Sequence, residues 1–150
     1  MAILDTSPPP VGGRRKTAVE RLIDAIGYPE RAPDGAVSFI LRVDGMEIPC
    51  EENNGKVMLS MRLDADDARL PVLAGYAAGR MLKEDAALAW DSTGGGHAFI
   101  WQDAPSDSGG RTLLRLFETF MDSCDWWQER VKALEGDKPE ELSQSMIIMP

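Results

Sequence analysis

His97 is the single histidine of the chain, and Cys50 and Cys124 are its two cysteines. A Cys/His or Ser/His nucleophile would therefore have to use His97, with Cys50 or with a serine from elsewhere in the chain. No nucleophile and orienting carboxylate are spaced around it, and it reads as a strand residue beside a turn. The two cysteines are too few and too far apart for a disulfide framework or a zinc site, and both read as reduced thiols. Gly94-Gly95-Gly96 joins two strand-like segments, whereas a phosphate cradle needs a strand that leads into a helix N-terminus. Gly109-Gly110-Arg111-Thr112 does precede a helix, but it lacks the upstream glycine spacing and the lysine of a phosphate loop. Asp64, Asp66 and Asp67 lack the spacing and the terminal Glu of a calcium loop, and acids there suit a helix start. Of Trp126 and Trp127, at most one can face inward, and Trp127 belongs to the apolar seam of its helix. The residues thus point away from an enzyme, and they imply neither a metal nor a cofactor.

The remaining chemistry is that of surfaces. The chain has 150 residues, 43% of them hydrophobic, and 25 acidic against 16 basic residues give a formal charge of −9. One core can be built from this length, and nucleic acid is an unsuitable partner for so acidic a chain. Acidity also keeps a protein dispersed when part of its apolar surface stays open to hold something. There is no cationic, apolar leader pattern and no continuous apolar run of about 20 residues, so the expected location is the cytoplasm.

The elements that must shape such surfaces follow from periodicity. Residues 1–16, with Pro8-Pro9-Pro10 and Gly12-Gly13, show no buriable pattern and read as an arm. Thr17-Ala18-Val19-Glu20 fits a capping box, and Val19, Leu22, Ile23 and Ile26 form one helical stripe that Gly27 and Pro29 end. The period then changes to two. Val37, Phe39, Leu41 and Val43 alternate with Ser38, Ile40 and Arg42; Asp44-Gly45 suits a type I′ hairpin, and Met46, Ile48 and Cys50 follow. A turn at Asn53-Asn54-Gly55 leads to Val57, Leu59, Met61 and Leu63, completing a three-strand meander. Pro49 removes a ladder donor from the middle strand and predicts a bulge or frayed pairing.

A second helix is expected from about Leu70 to Lys83. Its Ala74, Gly75, Ala77, Ala78 and Gly79 make sense where another backbone approaches closely. Ala86 to Asp91 and His97 to Asp103 form a second hairpin. Leu113, Phe117, Phe120, Cys124, Trp127, Val131 and Leu134 mark the longest helix, which Gly136 and Pro139 close. The fold class is α+β, an antiparallel sheet packed with three helices in the order αβββαββα. The ordered domain spans 17–135, and residues 136–150 form a tail with an apolar end, Met146 to Met149, that could dock or stay free.

Over residues 17 to 134 this chain resembles the Tir-chaperone family of class I type III secretion chaperones. The likeness is carried by Leu-Pro-Val-Leu-Ala-Gly-Tyr-Ala-Ala-Gly-Arg-Met-Leu from Leu70, by Ala-Ala-Leu-Ala-Trp-Asp from Ala86, and by Gly-Gly-Gly-His-Ala-Phe-Ile-Trp from Gly94. Leu113 to Phe120 and Trp127 continue it. These are patterns of apolar and small residues, not an invariant signature, and their agreement in order, length and charge says more than any one of them. Two departures are Pro49 and the Ala77-Ala78 pair, where the family often has Ala-Asn.

The resemblance implies a cytoplasmic homodimer that binds the N-terminal region of a secreted effector in extended form before export, with no chemical step. It puts helix two and the fourth strand near the dimer interface, so Leu73, Tyr76, Ala77, Leu88 and Trp90 are the interface candidates; the competing assignment is monomer core. For effector binding the candidates are Leu22 and Ile26 of helix one with Phe39, Ile40 and Leu41 of strand one, again with core as the competing assignment, because alternation alone does not say which sheet face is covered. An interaction or regulatory module that shares the fold without serving secretion is the alternative function.

Overall fold

Thr17 fixes where the first described helix begins. Its hydroxyl accepts from the Glu20 amide at 3.1 Å while the Glu20 carboxylate accepts from the Thr17 amide at 2.8 Å, the reciprocal pair of a capping box. Helix α1 (Ala18–Ile26) follows, and Gly27 ends it in the left-handed conformation at φ 68°. The computed structural model describes residues 15–65, 69–80, 86–92 and 96–136. The expected arm up to residue 14, the centre of the second hairpin loop and the apolar end of the tail lie outside the described residues.

Strands β1 (Ser38–Val43), β2 (Met46–Asn53) and β3 (Lys56–Arg62) form the expected meander. Both of its turns use the mirror-image geometry that Asn, Asp and Gly tolerate: Asp44 and Gly45 have φ of 51° and 81°, and Asn54 and Gly55 have 53° and 76°. The effect of Pro49 is visible in the register. Pairing of β1 with β2 runs through to Val43 opposite Met46, but pairing of β2 with β3 stops at Cys50 opposite Leu59, one residue short of Pro49. The next hydrogen-bonding position on that side is Pro49, which has no N–H to donate.

Helix α2 (Leu70–Arg80) precedes the hairpin of β4 (Ala87–Asp91) and β5 (His97–Pro105), and α3 (Gly110–Gly136) closes the described chain. The sheet order is β1-β2-β3-β5-β4, all antiparallel, so the hairpin's second strand enters beside β3 and leaves β1 and β4 as the two edges. The described residues form the expected α+β arrangement, three helices and a five-stranded antiparallel sheet.

Helices cover one face. Leu41, Met46, Ile48, Cys50, Val57, Leu59, Met61, Ala98 and Ile100 point to it and are buried with Val19, Leu22 and Ile23 of α1 and Leu113, Phe120, Cys124 and Trp127 of α3. Arg21 of α1 donates to the carbonyls of Ser106 and Ser108, which fastens α1 to the turn that leads into α3. Strand residues of opposite parity, such as Glu47, Pro49, Met58, Phe99 and Trp101, lie on the face away from α1 and α3. Helix α2 flanks β4 and meets α3 through Tyr76 and Trp126, whose rings stand edge to face at 6.1 Å.

Candidate protein-binding surface

Which backbone groups of β1 remain open follows from its hairpin. A two-residue turn requires that the flanking pair, Val43 and Met46, exchange both hydrogen bonds, and every second pair then does the same. The bond from the Glu52 amide to the Val37 carbonyl, 2.8 Å, fits this phase. Odd-numbered residues of β1 therefore bond to β2, while Ser38, Ile40 and Arg42 turn their N–H and C=O groups outward along the edge. The Arg42 amide is taken by the Tyr28 hydroxyl at 2.9 Å, and the Tyr28 ring stands edge-on to Phe39 with centroids 5.9 Å apart. The open stretch of edge is thus Ser38 to Ile40. Val37 and Ile40, exposed by 54% and 45%, flank and lie in it.

The effector-binding candidates divide on this geometry. Leu22 and Leu41 are fully buried in the core, so neither can touch a client, and the expectation for both is corrected. Leu22 lies on the single apolar stripe of α1, and Leu41 points under the helices. Ile40 is exposed, while Ile26 and Phe39 are half-buried against the core beside it. Polar neighbours of the same parity, Ser38 and Arg42, already mark the Ile40 face as the outer one. Sequence reasoning missed Val37, whose parity is that of the core but which stands beyond the end of the strand, and Tyr28, whose role depends on a contact 14 residues away.

A similar division holds for the dimer candidates. Leu73 is completely buried within its own chain, which removes it from any interface. Tyr76, Ala77, Leu88 and Trp90 are half-buried. The Trp90 indole packs over Gly96, which has φ 87° and whose Cβ, were there one, would lie 2.5 Å from the ring. More of α2 is open than these residues suggest: Pro71, Ala74, Gly75, Ala78 and Gly79 are all exposed and recur at helical spacing on one face. A Cβ added at Gly75 or Gly79 would meet nothing within 4 Å. Among the described residues of the single chain nothing requires glycine at either position.

Trp126 forms the seam between α2 and α3. Besides Tyr76 it holds the Arg80 guanidinium over its ring at 3.9 Å and that of Arg130 at 4.9 Å, while Trp127 behind it is buried. Among the described residues the Cys/His pairing is not assembled. Cys50 is buried on the helix side of β2, whereas His97 is on the other face of the sheet, beside Asp91 with Nε2 to Oδ2 at 3.8 Å. Burial pushes the Cys50 thiol up to about 12, with Glu51 and Glu52 adding to the effect, and burial pushes Cys124 up to about 12 as well. Both stay protonated and inert at neutral pH. Among the described residues no cluster of three or more His, Cys, Asp or Glu side chains could hold a metal ion, and no helix is long and apolar enough to cross a membrane.

Neither a protein-family model nor a curated protein matches the sequence. Solved structures do match. A chain of the HopA1–SchA chaperone–effector complex aligns with a TM-score of 0.57 at 17% identity, covering 75% of this chain and 91% of that one. The fold is that of type III secretion chaperones. The Yersinia pestis type III secretion chaperone SycH, solved in complex with a stable fragment of YscM2, gives 0.52 at 13% identity over 73% of this chain and 96% of that one. The chaperone fold is not confined to secretion chaperones: YbjN, a candidate transcription regulator from E. coli, gives 0.51 at 11% identity over 75% and 84%. At such identities the likeness is one of fold.

Proposed function

We propose that this chain is a type III secretion chaperone that binds the N-terminal region of a secreted effector in the bacterial cytoplasm, keeping it soluble and export-competent. It works as a homodimer and catalyses no reaction. The observation that carries this reading is the open edge of β1, Ser38 to Ile40 with Val37 and Ile40 exposed, on a fold shared with chaperones solved in complex with their partners. An extended client segment can add backbone hydrogen bonds to such an edge and lay apolar side chains on Ile40, Phe39 and the neighbouring end of α1 at Ile26. Strand addition favours an unfolded client, whose backbone N–H and C=O groups are open along its whole length.

The dimer reading rests on the exposed small face of α2 together with Tyr76, Ala77, Leu88 and Trp90. Close packing of a second backbone explains glycines that the single chain does not need. The likeness to YbjN supports a second reading, a regulatory interaction module without a secretion role.

Co-expression of the chain with N-terminal segments of secreted proteins from its own organism separates the two. Retention of one such segment in soluble form, lost on Ile40→Asp, supports the chaperone reading. Failure to hold any of them, or binding to a folded cytoplasmic protein instead, refutes it in favour of the regulatory module.

A further inference from the structure

The helix-free face of the sheet carries a hollow with a definite chemical character. The register sets Glu51, Met58 and Asp103 in one row across β2, β3 and β5, on the face away from the helices. Neighbouring strands are about 4.8 Å apart, so the two carboxylates stand on either side of Met58. Trp101 follows Asp103 two residues back on the same strand and face, and Asn53 and Lys56 close the hairpin end. Together they enclose about 300 Å³ open to solvent.

We infer that this hollow is a binding pocket for one long cationic side chain, arginine or lysine, presented by an extended protein segment. The floor, Met58 and Trp101, is apolar and half-buried and suits the methylene stem of such a residue, and an indole face attracts the charged head. Two carboxylates flank the hollow, Glu51 on one wall and Asp103 on the other. Lys56 is the single cation among the lining residues, its Nζ 3.8 Å from Asp103 Oδ2 with the lysine side chain 63% exposed. Two carboxylates against one ammonium leave the hollow complementary to one further positive charge. The formal charge of −9 attracts such a segment over longer range.

Position ties the pocket to the open edge without making it depend on secretion. Ser38 of β1 is opposite Glu51, and Ile40 is opposite Pro49 in the adjacent row. A segment that leaves the β1 edge and crosses the sheet reaches the hollow over β1 and β2, so its basic residue is set apart along the segment from the apolar ones on the edge. A regulatory partner of the same chemistry would fill the pocket equally well.

The test uses the full chain and two probe peptides, acetyl-Leu-Arg-Leu-amide and the same peptide with neutral citrulline in place of arginine. The reporter is the NMR signal of the Trp101 indole N–H, assigned through Trp101→Phe. The arginine peptide is expected to shift this signal saturably and to bind about fivefold more tightly than the citrulline peptide. Glu51→Gln, a change at an exposed position, is expected to abolish that difference while the rest of the amide spectrum stays in place. Absence of a saturable shift, equal binding of both peptides, or a preference for arginine that persists in both Glu51→Gln and Asp103→Asn overturns the assignment.

Discussion

Replacing Gly75 and Gly79 by alanine gives opposite outcomes for a chain that works alone and for one that packs α2 against a copy of itself. Both glycines are helical and exposed, and neither has a positive φ. In the single chain an added methyl meets nothing within 4 Å, so no clash offsets the gain in helix propensity. Gly75 lies mid-helix, where alanine is better by about 0.8–1 kcal/mol; Gly79 lies in the last turn, where the gain is smaller. The pair should stabilise an isolated chain by about 1–2 kcal/mol, a rise in Tm of roughly 2–8 °C for a chain of this length. If the same face meets a second copy, the dimer gains two methyls from each chain at its tightest point. Overpacking there costs about 1–3 kcal/mol per site, enough to raise the dimer dissociation constant at least about tenfold. Light scattering across a concentration series, read beside a thermal melt, separates the two. The expected result is a weakened dimer. A double variant that stays as dimeric as the parent while melting higher, or a parent chain that is monomeric throughout, refutes the placement of the interface on α2.

Tyr28→Phe should speed hydrogen exchange at the Arg42 amide about three- to tenfold, the equivalent of one lost hydrogen bond, while Leu41 and Val43 keep their protection; unchanged exchange would mean that the tyrosine does not cap this edge. Gly96→Ala combines φ 87° with a Cβ 2.5 Å from the Trp90 ring, and should cost about 1–3 kcal/mol in urea unfolding with a changed Trp90 near-UV signal; a neutral effect would show that the hairpin does not hold Trp90. Folded Cys50 and Cys124 keep their protons to about pH 12, while in the unfolded chain they ionise near 9.0, so the unfolded state loses protons first. Stability should be indifferent to both thiols below about pH 8 and fall above 9 by up to about 1.4 kcal/mol per pH unit for each, a decline that Cys→Ala variants should flatten.

Local chemistry was legible in the sequence wherever a few adjacent residues decide the outcome. Thr17 and Glu20 specify the start of α1, and Asp44-Gly45 and Asn54-Gly55 specify two turns, because each motif satisfies its own backbone groups without help from elsewhere. Pro49 is a subtler case. Its missing donor predicts a bulge or frayed pairing, but only the register shows that the pairing is lost and that the loss falls on the β3 side. The position of β5 beside β3 was not legible, since nothing within the second hairpin says which of its strands the meander accepts. Leu22, Leu41 and Leu73 were misplaced for a related reason. Each belongs to an apolar stripe that a binding surface and a core both require, and the choice depends on packing partners distant in sequence. For Leu41 a signal was present, because Ser38 and Arg42 share the parity of Ile40 and identify it as the outward residue.

The proposed client edge and the proposed dimer face lie on opposite edges of the sheet, and this placement bears on how they work together. A client strand on β1 and a second copy against α2 and β4 are separated by β2, β3 and β5, so neither occupies space the other needs. Dimerisation through the α2 side would leave two β1 edges free at the far ends of the assembly, and a client long enough to reach both would gain from the second contact without any new chemistry. The Tyr28 hydroxyl then acquires a clear purpose. An uncapped edge long enough to hold a client firmly would also pair with the edge of another dimer, and shortening it to the stretch around Ser38 to Ile40 weakens both contacts. A client recovers the lost affinity because it can place further side chains on Phe39, Ile26 and the face beyond the edge, whereas a second β1 edge brings only its own short stretch around Val37 to Ile40.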